Sequence, residues 1–195
     1  MGRINRHMSR KMDIGSLFLR DYSSIFSGRE IARRTKTSPQ AALNIIKELV
    51  QDKCLQSKVE GRNKNYSLNL TNLRTKIFLE QVELNNSFIA LHNFEFRTVI
   101  SSLLPLSNAL VVFGSFAKNI QKANSDIDLI AIGVKDKKKF ESIEKTFPRE
   151  VHSHFLTWKE FYQSMAKPNN HLAQEIKKDH LIFGNVNKIV EMFIK

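Results

Sequence analysis

The stretch from Val111 to Ile132, "VVFGSFAKNIQKANSDIDLIAI", decides the fold of this chain. It begins inside an apolar, β-branched run, "ALVVF" from Ala109, of the kind that forms a buried strand. Gly114 and Ser115 end that run, "FAKNI" offers one helical turn, "QKANS" a polar loop, and "DIDLIAIGV" a second buried strand. Strand side chains alternate, so Asp126, Asp128 and Ile130 share one face and Ile127 and Leu129 take the other. The two carboxylates then stand about 7 Å apart along the strand. Like charges that close in an apolar run are costly, and a divalent cation removes the penalty. Mg2+ suits so sparse a set, because it binds through one or two carboxylates together with water and substrate phosphates. Gly114 lets the backbone approach a phosphate, and Ser115 and the turn after it add a hydroxyl and free N–H groups.

With these residues in view, "GSFA", a short polar spacer and "SDIDL" resemble the signature of the nucleotidyltransferase superfamily that includes DNA polymerase beta. The likeness is closer to the minimal nucleotidyltransferases of archaea and bacteria. It implies that Gly114 and Ser115 hold the triphosphate of an NTP substrate and that Asp126 and Asp128 bind the catalytic metals, Mg2+ or Mn2+. Lys118, directly after the turn, would reach a phosphate. The closing segment "HLAQEIKKDHLIFGNVNKIVEMFIK" is similar to the family's last helix, short strand with a glycine, and final helix.

The chain departs from the family at two places. Family members follow the alanine with a base and a glycine, whereas here Lys118 is followed by Asn119. Asparagine tolerates left-handed backbone, so the turn is expected to survive. The family also carries a third carboxylate on a neighbouring strand, and the next strand candidate, "REVHSHFL", holds no aspartate. Glu150, His152 and His154 alternate onto one of its faces. Either Glu150 serves from the strand's beginning or a neutral histidine replaces it as base or ligand, with His152 the first choice. A capping box, "TWKE" with Thr157 and Glu160, closes that strand and starts another helix.

Toward the N-terminus, residues 14 to 70 suggest three helices and a hairpin. "IGSLFLRDY" has Leu17, Phe18 and Tyr22 at helical spacing, and "GREIARRT" follows Ser27 as N-cap. "SPQAALNIIKELVQDK" pairs an N-cap, Ser38, with Pro39 at the first helical position. "CLQSKVE" and "YSLNL" alternate around a turn, "GRNKN". That order resembles a winged helix-turn-helix. The resemblance implies that Gln40, Asn44 and Lys47 face the bases of double-stranded DNA and that Arg62 and Lys64 lie near phosphates. A docking or dimerising module with solvated charges is the alternative for the same pattern, and winged helices commonly act as homodimers.

Between the two, residues 72 to 104 read as one or two helices, with Asn85, Asn86 and the pair His92 and Asn93 as breaks. Five of the chain's 14 phenylalanines fall between Phe78 and Phe113 and are expected in the core.

The whole composition agrees with an intracellular, nucleic-acid-related protein. The net charge of +12 and pI near 9.9 point to polyanionic partners. Residues 1 to 70 hold 14 Lys and Arg against 6 Asp and Glu, and so carry +8 of that excess. A single cysteine, Cys54, excludes a disulfide framework and a thiolate zinc cluster. No apolar run is long enough to cross a membrane, and the basic start lacks the apolar stretch of a signal peptide, so a cytoplasmic location is expected.

The expectation is an α/β chain: a winged helix-turn-helix over 1–70, a helical connector over 71–104, and a minimal nucleotidyltransferase with a small mixed sheet over 105–195. Its reaction would move a nucleoside monophosphate from an NTP to a hydroxyl on a protein, a small molecule or a nucleic acid. The rival is a DNA-binding transcriptional regulator whose degenerate transferase fold senses nucleotide or dimerises.

Overall fold

The computed structural model describes residues 2–118, 120, 125–167 and 169–194, with backbone alone for 2–6. Asn119 and most of the polar loop before Asp126 lie outside the described residues. Two compact units divide the chain, 1–82 and 83–193, so the segment 71–104 expected as a connector is shared between them.

The first unit begins with α1 (Gly2–Ser16), followed by β1 (Phe26–Ser27), α2 (Gly28–Arg34), α3 (Pro39–Gln51), β2 (Leu55–Glu60) and β3 (Asn63–Leu68). Its three strands form an antiparallel sheet in the order β1-β3-β2. Ser27 and Ser38 cap α2 and α3 as the sequence predicts, their side chains accepting from the Glu30 and Ala41 amides. The buried stripe of α3 is Ala42, Ile45, Ile46 and Leu49. Two expectations need correction. The first helix ends at Ser16, before most of the apolar cluster assigned to it; tight turn bonds such as Phe18 N to Gly15 O follow. Phe18, Leu19 and Tyr22 are buried as anchors of those turns, a role that spacing over a few residues does not distinguish from a helical face. The hairpin turn is also shorter than "GRNKN". Glu60 pairs with Asn63, leaving only Gly61 and Arg62, and Gly61 has φ +61°, which the first position of a tight hairpin turn demands.

α4 (Leu73–Ala90) runs through the division between the units. It is not broken at Asn85 and Asn86, because buried neighbours hold it. Ser87 donates from Oγ to the Ile182 carbonyl at 2.7 Å and accepts from the Ile182 amide at 3.1 Å. Glu83, also buried, meets His180 at 2.9 Å. The break falls at 91–93, where Asn93 caps the next helix.

The second unit continues with α5 (Phe94–Leu103), a 3₁₀ turn (Leu104–Leu106), β4 (Ala109–Phe113), α6 (Gly114–Ala117), β5 (Ile127–Ile132) and α7 (Lys137–Glu144). Then come β6 (Val151–Leu156), α8 (Trp158–Ala166), α9 (His171–Lys178), β7 (Leu181–Gly184) and α10 (Val186–Ile194). The mixed four-stranded sheet has the order β6-β5-β4-β7, with β5 and β6 parallel and the other pairs antiparallel. All five residues of β4 are buried, as befits the strand between β5 and β7. Leu110, Val112, Ile127, Leu129 and Ala131 join Phe96, Val99, Ile100, Leu103 and Phe140 from α5 and α7 in one apolar core. Each large side chain there stabilises the fold by about 1.5–3 kcal/mol.

The phenylalanines do not all join the core. Phe78, Phe96 and Phe113 are buried, but Phe88 and Phe94 are exposed. Phe88 packs on the His92 ring and Phe94 lies under the Arg97 guanidinium, local partners that leave the rest of each ring in water. Among the described residues no helix is long and apolar enough to cross a membrane.

Candidate active site

The centre of the sheet ends where the two halves of the opening stretch meet. Phe113, the last residue of β4, pairs with Asp128 of β5, so Gly114 turns off the sheet directly beside that aspartate. Gly114 has φ +70°, the left-handed region that an L side chain enters at a cost. Independently, a Cβ at Gly114 would collide with the Asp128 carboxylate. Glycine is therefore favoured by the backbone conformation, and any side chain there would push the Asp128 carboxylate aside. Ser115 follows within the four-residue α6, and Phe116 turns inward to stack on Phe96 at 5.1 Å.

β5 begins at Ile127, so Asp126 stands just ahead of the strand and Asp128 within it. Ile127 and Leu129 are fully buried while Asp126 and Asp128 keep contact with solvent, the alternation predicted from the sequence. The next strand completes the group. β6 lies parallel to β5 in a register that sets His152 opposite Asp128. Nδ1 of His152 is 3.5 Å from the Asp128 carboxylate, and its Nε2 is 3.9 Å from Glu150. Glu150, His152 and His154 are exposed and their intervening neighbours less so. His154, two residues farther along, lies against the Phe113 ring at 6.2 Å.

Asp126, Glu150 and His152 each offer a ligand atom, and these atoms lie within 4.8 Å of one another. Two carboxylates and an imidazole, with the Asp128 carboxylate beside them, fit Mg2+ or Mn2+, which favour hard oxygen donors and retain water. Glu144, nearby on α7, has its carboxyl pushed above the usual range, chiefly by burial. Lys118 is engaged elsewhere: its Nζ donates to Glu175 of α9 at 2.6 Å.

Residues 95–194 match the family model of the nucleotidyltransferase domain. The chain belongs to this family. The match covers α5 through α10, and so includes every residue of the cluster just described. No curated protein matches the chain. Among solved structures, that of TrmBL2, an archaeal chromatin protein with a novel mode of DNA binding, is similar at 12% identity over 86% of this chain and 70% of that one. Its TM-score of 0.27 is too low for any argument to rest on it.

In the first unit, the residues expected to meet DNA are all exposed. Gln40, Asn44 and Lys47 lie at helical spacing along α3, with Gln40 donating to Asn44 at 3.0 Å. Arg62 occupies the hairpin turn and Lys64 lies in β3, and both line a pocket of about 440 Å³ with Arg29, Pro39, Leu43 and Tyr66. Arg29 is the cation there that the sequence did not single out. The second unit likewise holds residues missed in the sequence, Arg149 and the buried pair Glu83 and His180, whose partners are far away along the chain.

Proposed function

We propose that the nucleotidyltransferase domain moves a nucleoside monophosphate from an NTP to an acceptor hydroxyl, and that the first unit is a winged helix-turn-helix that binds double-stranded DNA. The observation that carries the first part is the convergence of Gly114, Asp126, Asp128, Glu150 and His152 at one end of the sheet.

In this reading Gly114 and Ser115 receive the β- and γ-phosphates, because the glycine turn lets backbone approach them. Asp126 and Asp128 hold the divalent cation, with Glu150 closing the set. When bound, the cation neutralises these carboxylates and withdraws charge from the phosphate oxygens. His152 takes the proton of the acceptor hydroxyl as that oxygen bonds to the α-phosphorus. The bond from the α-phosphorus to the bridging oxygen breaks, and pyrophosphate leaves with its electron pair. Asp128, facing Nδ1 of His152, stabilises the imidazolium that forms. Gln40, Asn44 and Lys47 read bases, and Arg62 and Lys64 contact phosphates.

One observation favours the second reading, a DNA-binding regulator that binds nucleotide without transferring it. Lys118, which would otherwise serve a phosphate, is paired with Glu175. Incubation with Mg2+ and NTPs labelled at the α-phosphate, with protein, small-molecule and nucleic-acid acceptors, separates the two. Label transfer that disappears in Asp126→Ala and Asp128→Ala supports the enzyme. Absence of transfer, with duplex binding that responds to NTP, supports the regulator.

A further inference from the structure

Arg149 precedes Glu150, and only 10% of its side chain is exposed. Its guanidinium reaches three separate elements. Nη2 donates to Glu95 in the first turn of α5 at 2.7 Å. Nη1 donates to the carbonyl of Ser125, the residue before Asp126. Its carbon lies 5.3 Å over the ring of Phe116, which follows Ser115 in α6. One side chain thus joins the start of β6 to the backbone of the first aspartate and to the helix that carries the glycine turn.

The ion pair adds little net stability, because the Glu95 side chain is 42% exposed and water screens the attraction. Nε of Arg149 is moreover buried without a hydrogen-bond partner, which is a cost. What the arrangement does supply is placement. A planar fork with donors in two directions and a stacking face makes all three contacts at once, and a lysine ammonium does not.

We propose that Arg149 is a positioning residue of the metal site: it fixes the Ser125–Asp126 backbone and α6 against β6, so that Asp126 meets Glu150 within coordination distance and His152 stays beside them. This inference rests on the transferase reading of the same cluster. Loss of a group that orients metal ligands commonly costs tenfold to a hundredfold in metal affinity.

The test is Mn2+ binding to the full chain, read from the free Mn2+ signal in electron paramagnetic resonance, with thermal unfolding measured alongside. Arg149→Met is expected to weaken Mn2+ binding about tenfold or more, and Arg149→Lys by less, because it keeps the charge and one of the three interactions. Glu95→Gln should stay within about twofold, since the Ser125 and Phe116 contacts remain. In Arg149→Lys, extra Mn2+ should restore transfer. Should Arg149→Met not fold, Arg149→Lys carries the comparison. Mn2+ binding by Arg149→Lys equal to that of the unaltered protein, with Asp126→Ala binding none, would overturn the inference and leave the transferase reading standing. No Mn2+ binding by the unaltered protein, or undiminished binding by Asp126→Ala, would overturn both.

Discussion

β2–β3 and β4–β5 are both antiparallel pairs of neighbouring strands, and they differ in what covers them. In β2 only Leu55 is buried and the five residues after it are exposed. In β4 all five residues are buried, and in β5 all but Asp128. The hairpin keeps its register through the ladder and the Gly61 turn, so polar and basic residues cost it nothing. In the buried pair each polar group needs a reason, and Asp128 has one in the cluster it faces. In the proposed function, charge in the first setting serves a polyanion and charge in the second serves chemistry.

The largest test of that contrast is Glu83→Ala. Removing one partner of a buried pair leaves His180 uncompensated, so a loss of about 3–5 kcal/mol is expected in denaturant unfolding. The pair also sets a pH dependence. Burial pulls the His180 pKa down, but the Glu83 carboxylate and its hydrogen bonds raise it more, so it stands above the ordinary 6.5. A raised histidine contributes stability that is complete below 6.5 and lost as pH rises through the raised value. Melting temperature should therefore fall toward alkaline pH, and the double change Glu83→Leu with His180→Phe should flatten that trend.

Next in size is a pair of truncations. Leu129→Ala in β5 should cost about 2–5 kcal/mol, because it opens a cavity in the core. Val59→Ala in β2, where the side chain is 67% exposed, should stay within about 0.5 kcal/mol. Equal losses would erase the distinction between the two strand pairs. Gly114→Ala is smaller in stability, about 1–2 kcal/mol for the left-handed backbone. Its larger consequence is in transfer, expected to drop about a hundredfold because the new methyl displaces the Asp128 carboxylate. Replacing Arg62 and Lys64 by alanine should leave stability unchanged. Duplex affinity should weaken, with the salt slope reduced by about one for each phosphate no longer neutralised.

Local pattern makes much of this legible. The strands β4 and β5, the caps of α2 and α3 and the Thr157 capping box each depend on neighbouring residues and can be read from them, although the helical turn falls on Gly114–Ala117 rather than on "FAKNI". Where tertiary contacts override local preference, such reading fails. Asn85 and Asn86 look like a break, yet Glu83 and Ser87 anchor the helix to residues 97 and 95 positions away. Phe18 looks like part of a helical face and serves as the plug of a turn. At the site, the faces of Asp126, Asp128, Glu150 and His152 follow from alternation alone. Their juxtaposition does not, because it needs the parallel register of β5 and β6. Arg149 is invisible for the same reason, since Glu95 lies 54 residues before it.

The register that places His152 opposite Asp128 has an evolutionary consequence. Position 152 acts as a socket whose location is fixed by the ladder, so exchanging its occupant for an aspartate would deliver a further carboxylate without moving the backbone. Inserting or deleting one residue just before His152 would instead turn the socket inward and bring a half-buried neighbour out. Such a site can change its chemistry by substitution far more readily than by a change in length.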